Sequence, residues 1–158
     1  LMWDPGRIPT RVVEHGVLVP EGARYTGELA RGLVVVNNLK RRGRRLGADL
    51  FERARQEVPL DLYGINMQEL GGVASLSVSE LWAAGGRYRL FFNPIRYTSL
   101  GLAVCEAMAV GLPVVGLATT EMATAVENGR SGFVSTDFDQ VLGFAKARLF
   151  VAASAPSS

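Results

Sequence analysis

The chain has 158 residues, a net charge of +2 and 48% hydrophobic residues, enough for the core of one domain and too much for a disordered chain. A lone cysteine, Cys105, excludes an internal disulfide and fits a reducing, cytoplasmic compartment. No apolar run reaches the ~18–20 residues of a membrane span, and the opening LMWDPGRIPT lacks the charged start and apolar stretch of a secretory leader.

Two apolar, β-branched runs, at 11–19 (RVVEHGVLV) and 32–37 (GLVVVN), predict strands, with turn-like PEGARYTGELA between them. NLKRRGRR then predicts a basic loop. GADLFERARQEV carries apolar residues at Leu50, Phe51, Ala54 and Val58, a helical spacing. LDLYGIN, at 60–66, predicts a short strand ending in glycine, and MQELGGVASL a loop. In SVSELWAA, Ser77 or Ser79 stands where a helix cap is needed. YRLFFN, at 88–93, predicts a strand closed by Pro94. Thr98 or Ser99 is placed to cap a helix running to Val110, with Gly111 at its end and Pro113 just beyond. PVVGL predicts a strand, TEMATAVEN a helix ended by Gly129, GFV a short strand, and 138–151 a last helix.

Strands alternate with helices, and the strands are continuous apolar runs. That pattern predicts an α/β fold, a doubly wound parallel sheet covered on both faces. The expected division is a linker and leading strand over 1–30, a Rossmann-like domain over 31–151, and a disordered polar tail, VAASAPSS, over 152–158.

In such a sheet, ligands bind beyond the carboxyl ends of the strands. Three predicted loops fall there, at 37–46, 93–101 and 118–121. The first holds Lys40, Arg41, Arg42, Arg44 and Arg45; the second leads into a helix start with Thr98, Ser99 and Gly101. Basic side chains facing the unpaired N–H groups of a helix start make a diphosphate cradle. Glu106 lies two turns into this helix, which is apolar nearly all round and therefore expected to be buried. A buried carboxylate needs hydrogen-bond donors. The two hydroxyls of a ribose would supply them, with the anion above at the helix start.

The segment GLAVCEAMAVGLPVVGLATTEMATAVENGRSGFV resembles the donor-binding segment of the retaining glycosyltransferases of family four, in group 1. Their pattern is a Glu, seven residues, a second Glu followed by Ala-Met-Ala, then Gly-x-Pro-Val-Val and later Glu-Asn-Gly-x-x-Gly. Glu106-Ala107-Met108-Ala109, Gly111-Leu112-Pro113-Val114-Val115 and Glu127-Asn128-Gly129-Arg130-Ser131-Gly132 match it in order and spacing. The resemblance implies the C-terminal half of a GT-B architecture and a metal-independent enzyme without a cofactor, whose donor substrate is a nucleotide-sugar. It implies that Glu106 holds the ribose. The first Glu of the pattern, which faces the donor sugar, falls at Thr98, a departure that leaves the sugar contact made differently or catalysis altered or lost. The family's phosphate-binding Gly-Arg is replaced by Asn37 and Asn38, and Arg44 and Arg45 are the nearest basic equivalents. Thr98 and Arg45 are therefore the candidate catalytic residues, and Glu106, Ser99, Gly101, Leu102, Arg44 and Asn38 the candidate nucleotide-sugar ligands.

VVEHGV resembles the strand that enters the second domain of these enzymes. The chain alone is then a truncated, incomplete enzyme whose partner is a missing N-terminal acceptor domain, through which any peripheral membrane contact would be made. Two other readings stand beside this one. Thr98 favours a non-catalytic, glycosyltransferase-like binding or assembly module. The 40–45 basic run is all that favours a nucleic-acid binder, and no aromatic residues interleave it, so no nucleic acid is expected. His15, Cys105, Trp3 and Trp82 read as structural, and no His/Cys/Asp cluster has metal-ligand spacing.

Overall fold

The structure, a computed structural model, describes residues 6–9, 11, 16–73, 76–97 and 99–150. Trp3, His15, Thr98 and the tail from 151 lie outside the described residues.

Five strands, β1 (Leu29–Val35), β2 (Leu60–Tyr63), β3 (Tyr88–Asn93), β4 (Val114–Leu117) and β5 (Gly132–Ser135), form one parallel sheet in the order β2-β1-β3-β4-β5. The helices are α1 (Leu39–Arg42), α2 (Ala48–Ala54), α3 (Val78–Gly85), α4 (Leu102–Val110), α5 (Met122–Ala125) and α6 (Phe138–Phe150), with 3-10 turns at Gly43–Leu46 and Gln68–Leu70. This is the doubly wound, Rossmann-like α/β fold that the alternation of elements predicts.

Side chains alternate across each strand, and both faces are covered. Val34, Leu90, Phe92 and Val115 pack with Leu50 and Phe51 of α2 and with Val141, Leu142 and Ala145 of α6. Leu33, Phe91 and Val114 face the other way, onto Trp82 of α3, Val104, Ala107 and Val110 of α4, and Met122 of α5. Burial on both faces is why these strands read as unbroken apolar runs.

Local chemistry sets the ends of several elements. Ser77 caps α3 in a reciprocal capping box with Glu80. At the end of α4, the amide of Leu112 donates to the Ala107 carbonyl at 2.9 Å and that of Gly111 to Met108 at 3.0 Å, with Gly111 left-handed at φ 93°. The Glu-Asn-Gly-x-x-Gly stretch is an architectural clamp. The Val134 amide donates to Asn128 Oδ1 at 2.7 Å, and Asn128 Nδ2 donates back to the Val134 carbonyl at 3.0 Å. A Cβ on Gly132 would stand 1.9 Å from the Val114 carbonyl oxygen, so only glycine lets β5 come this close to β4.

Four expectations are corrected. Within the run 11–19, the described residues Arg11 and Gly16 to Val19 form no strand. The basic loop is wound into α1 and a 3-10 turn, as Lys and Arg are good helix formers. The helix read into TEMATAVEN spans only Met122–Ala125, because Val126 turns extended to deliver Asn128 to β5. Finally, α4 is not buried all round. Its sheet-facing residues are buried, but Leu102 is 55% exposed, since nothing in the described residues covers its outer side.

The chain leaves β1 for β2 on one side and returns for β3 on the other, so the connections diverge between the carboxyl ends of β1 and β3. Such a divergence is where open α/β sheets bind ligands. Here the two loops touch backbone to backbone. Gly47, left-handed at φ 76°, has the Pro94 carbonyl oxygen 1.8 Å from where a Cβ would lie. Gly71 is also left-handed, at φ 69°, but faces open space. Gly71→Ala should cost about 1–2 kcal/mol, the strain of a left-handed alanine. Gly47→Ala should cost clearly more by urea denaturation, and equal losses would show that the loops part freely.

Candidate functional site

The crevice between β1 and β3 is built from two segments. The β1 side contributes Asn37 and Asn38, α1 and the turn Gly43–Leu46. The β3 side contributes Asn93 to Tyr97, Ser99 to Gly101 and the start of α4.

Four bonds join the two. The carbonyl oxygen of Arg45 accepts from the amides of both Arg96 and Tyr97 at 3.3 Å. Arg45 Nε donates to the Tyr97 carbonyl at 3.4 Å, and an Arg96 terminal nitrogen donates to the Arg44 carbonyl at 3.0 Å. Arg96 also forks onto Asp49 at 2.5 and 2.8 Å, with its side chain only 13% exposed. The two-pronged geometry fixes the β3–α4 loop against α2.

Several cations of the crevice are held by carboxylates. Lys40 pairs with Glu69 at 2.8 Å, and Arg44 approaches Asp49 at 3.7 Å. Arg45 has no carboxylate partner among the described residues and lies against the loop that leads into α4. The structure thus sets Arg45 against Arg96 and Tyr97, in the segment that runs on to Ser99, Gly101 and Leu102. Asn38, left-handed at φ 56°, instead turns to the β2 side, where it accepts from Asn66 Nδ2 at 2.7 Å. Asn38, Lys40, Arg41, Asn66, Gln68 and Glu69 line an open polar cavity of about 550 Å³ there.

The N-cap of α4 is Gly101, extended at φ −76° and ψ 149°, a residue with no side chain to cap the helix. The helix starts three residues beyond Ser99, one of the two expected caps, while Thr98, the other, lies outside the described residues; Glu106 sits one turn into the helix rather than two. The first N–H groups of a helix lack intrahelical partners, and such a start favours an anion.

Glu106 is half-buried. Its Oε2 accepts a hydrogen bond from Trp82 Nε1 at 3.0 Å. Trp82 is 1% exposed and packs against Phe91, ring centres 6.1 Å apart. The donor that the buried carboxylate requires is therefore an indole, a partner that sequence reading assigned only to packing. A sign of it was present: a tryptophan in a short apolar helix needs an acceptor for its N–H. The Arg96–Asp49 fork was also missed, because partners 47 positions apart show no sequence periodicity.

Arg96 holds the Asp49 carboxyl below the usual carboxylate range, first through the hydrogen bond and then through its charge. A carboxyl depressed on folding adds stability above its unfolded pKa, and that stability is lost as pH falls through the lower folded value. Asp49 is half exposed, so the global effect should be small, under ~1 kcal/mol. Locally, protection of the Arg96 and Tyr97 amides against hydrogen exchange should fall as pH drops below the ordinary aspartate range. In Asp49→Asn it should be low throughout, with no acid step. An unchanged step in the variant would assign it to another group.

No helix among the described residues is long and apolar enough to cross a membrane. Residues 49–154 match the family model for glycosyl transferases, group 1. No curated protein matches the chain. Among solved structures, the fold is similar to that of a lipopolysaccharide outer core galactosyltransferase, WaaB, in its apo form. The TM-score is 0.60 at 18% identity, over 83% of this chain and 43% of that one. It is also similar to the crystal structure of TarM, with a TM-score of 0.59 at 14% identity, over 85% of this chain and 31% of that one. The chain spans less than half the length of either.

Proposed function

The chain belongs to the group 1 glycosyl transferases, and on that footing we propose that it is the donor-binding half of a retaining, metal-independent GT-B enzyme that takes a nucleotide-sugar. The observation that carries this reading is the vertical order of the crevice. An uncapped helix start lies at the top, Arg45 lies against the loop feeding it, and the Glu106 carboxylate is fixed one turn below. A nucleoside diphosphate has the matching order, an anion next to a diol.

In the proposed reaction the bond between the sugar's anomeric carbon and the diphosphate oxygen breaks, and the diphosphate keeps the electron pair. The acceptor oxygen would form the new bond on the same face of the sugar and pass its proton to the departing diphosphate oxygen. Arg45 and the N–H groups of Gly101 and Leu102 would stabilise the charge that grows on the leaving group, a role in which fixed donors contribute most. Arg44, tied to Asp49, is placed to assist less. Ser99 and Thr98 would face the donor sugar.

The acceptor would come from an N-terminal domain. The unusual exposure of apolar side chains along this edge of the sheet supports that arrangement: Ile65 is 54%, Val78 59%, Tyr97 61% and Leu102 55% exposed. The second reading, a binding module without chemistry, is favoured by Thr98 standing where the family's sugar-facing Glu is expected. It shares the nucleotide site and differs only in turnover.

A nucleoside diphosphate should bind more tightly than its nucleoside by calorimetry. Arg45→Gln should weaken the diphosphate by about 1.5–3 kcal/mol, the range for a hydrogen bond to a charged group, and leave the nucleoside nearly unchanged. If Arg41→Gln has the larger effect, the anion sits in the cavity beside Asn38 instead.

Glu106→Gln keeps the side chain's size but turns one acceptor into a donor. It should weaken a ribonucleoside diphosphate by about 1.5–3 kcal/mol. A 2′,3′-dideoxy nucleotide should lose almost nothing further. Equal losses for both ligands would remove Glu106 from the diol and leave it as a support for Trp82.

A further inference from the structure

We infer that Trp82 is a positioning residue for nucleotide binding: its indole N–H holds the Glu106 carboxylate in the orientation that receives the ribose. The inference rests on the reading of Glu106 as the ribose ligand.

Trp82 and Glu106 occupy equivalent levels on neighbouring helices. α3 and α4 both start at the carboxyl edge of the sheet, and each residue lies four positions after its helix's first residue. The indole is held from several sides. It contacts Phe91, and Gly85 leaves room for it: a Cβ there would stand 3.2 Å from the six-membered ring. A ring this enclosed has one orientation for its N–H. Glu106, by contrast, has three side-chain torsions, and fixing them on ligand binding would cost affinity. The 3.0 Å bond fixes them beforehand.

The chemical type of the donor also matters. An indole N–H carries one proton and no charge, so it occupies one of roughly four acceptor positions on the carboxylate and leaves its charge intact. A lysine or arginine here would neutralise the carboxylate and compete with the ligand's hydroxyls. A rigid neutral donor orients one oxygen and leaves the rest of the carboxylate for a diol. A bond serving the fold alone would need none of this matching in level and charge.

The experiment compares Trp82→Phe, which keeps an aromatic ring and removes the donor, with wild type and Glu106→Gln. The probes are ADP, GDP and UDP, each beside its 2′,3′-dideoxy counterpart, with Kd measured by calorimetry. Trp82→Phe should weaken the preferred ribonucleotide roughly three- to tenfold, the effect of one ordered hydrogen bond, and the dideoxy ligand by less than about twofold. If Glu106→Gln abolishes the preference for ribose while Trp82→Phe leaves it intact, the inference is overturned and the role of Glu106 survives. If the wild type shows no such preference, both fall together.

Should Trp82→Phe not fold, the wild-type indole supplies the readout. The chain has two tryptophans, and Trp3→Phe assigns the Trp82 N–H resonance. That resonance should move on saturation with the ribonucleotide and stay in place with the dideoxy ligand. Equal movement with both would overturn the inference.

Discussion

The candidate site depends on the place where Gly47 passes beneath the Pro94 carbonyl. The connections diverge on either side of β1 and β3, and a crevice opens wherever that happens. Here its floor is closed by backbone lying on backbone, which leaves no side-chain rotamer to adjust. With the floor set, the Arg45 carbonyl can take the amides of Arg96 and Tyr97 together, and Arg96 can fork onto Asp49. The start of α4 follows from these bonds, and so does the height of Glu106. A glycine with no chemistry of its own thus decides where the charged groups stand.

The stretch from Glu106 to Gly132 carries the resemblance to the family, but only part of it faces the crevice. Gly111 and Leu112 close α4 through paired bonds to Met108 and Ala107, and Pro113 prevents its continuation. Asn128 ties the preceding turn to Val134 of β5, and Gly132 lets β5 lie close against β4. These residues are as particular in spacing as Glu106 because backbone geometry is as demanding as ligand geometry. A match across all of them identifies the architecture; the chemistry rests on far fewer side chains.

The fold was legible because its strands are buried on both faces, and runs such as YRLFFN cannot be anything polar-sided. The end of α4 was legible because Gly111 and Pro113 act locally. Its start was not. A hydroxyl residue looked like the cap, but the chain is still irregular at Ser99 and enters the helix only after Gly101, where the stitched loops deliver it. The outer face of α4 misled for a different reason. Its composition says that it prefers to be covered and cannot say by what, and Leu102 remains exposed. The basic run was legible as charge alone. Which cations are drawn to carboxylates depends on Glu69 and Asp49, residues that composition does not link to the run.

That commitment of charge explains the rest of the crevice. A carboxylate one turn into a helix and an anion at the same helix start repel each other across roughly 6 Å, four residues of helical rise. The helix start stabilises both charges, but it cannot remove their mutual repulsion. A cation bound to Glu106 would remove it and also close the carboxylate to a diol. Trp82 avoids that by donating without charge. In the proposed site the compensating cation must then come from the anion's side and must be free to approach. Arg96 cannot serve, since both its prongs are engaged by Asp49, and Lys40 is drawn to Glu69. Among the described residues, Arg45 is tethered through its backbone carbonyl and one 3.4 Å bond to a neutral carbonyl. Its position is fixed while its charge is not spent, as the proposed site for a diphosphate above a ribose requires.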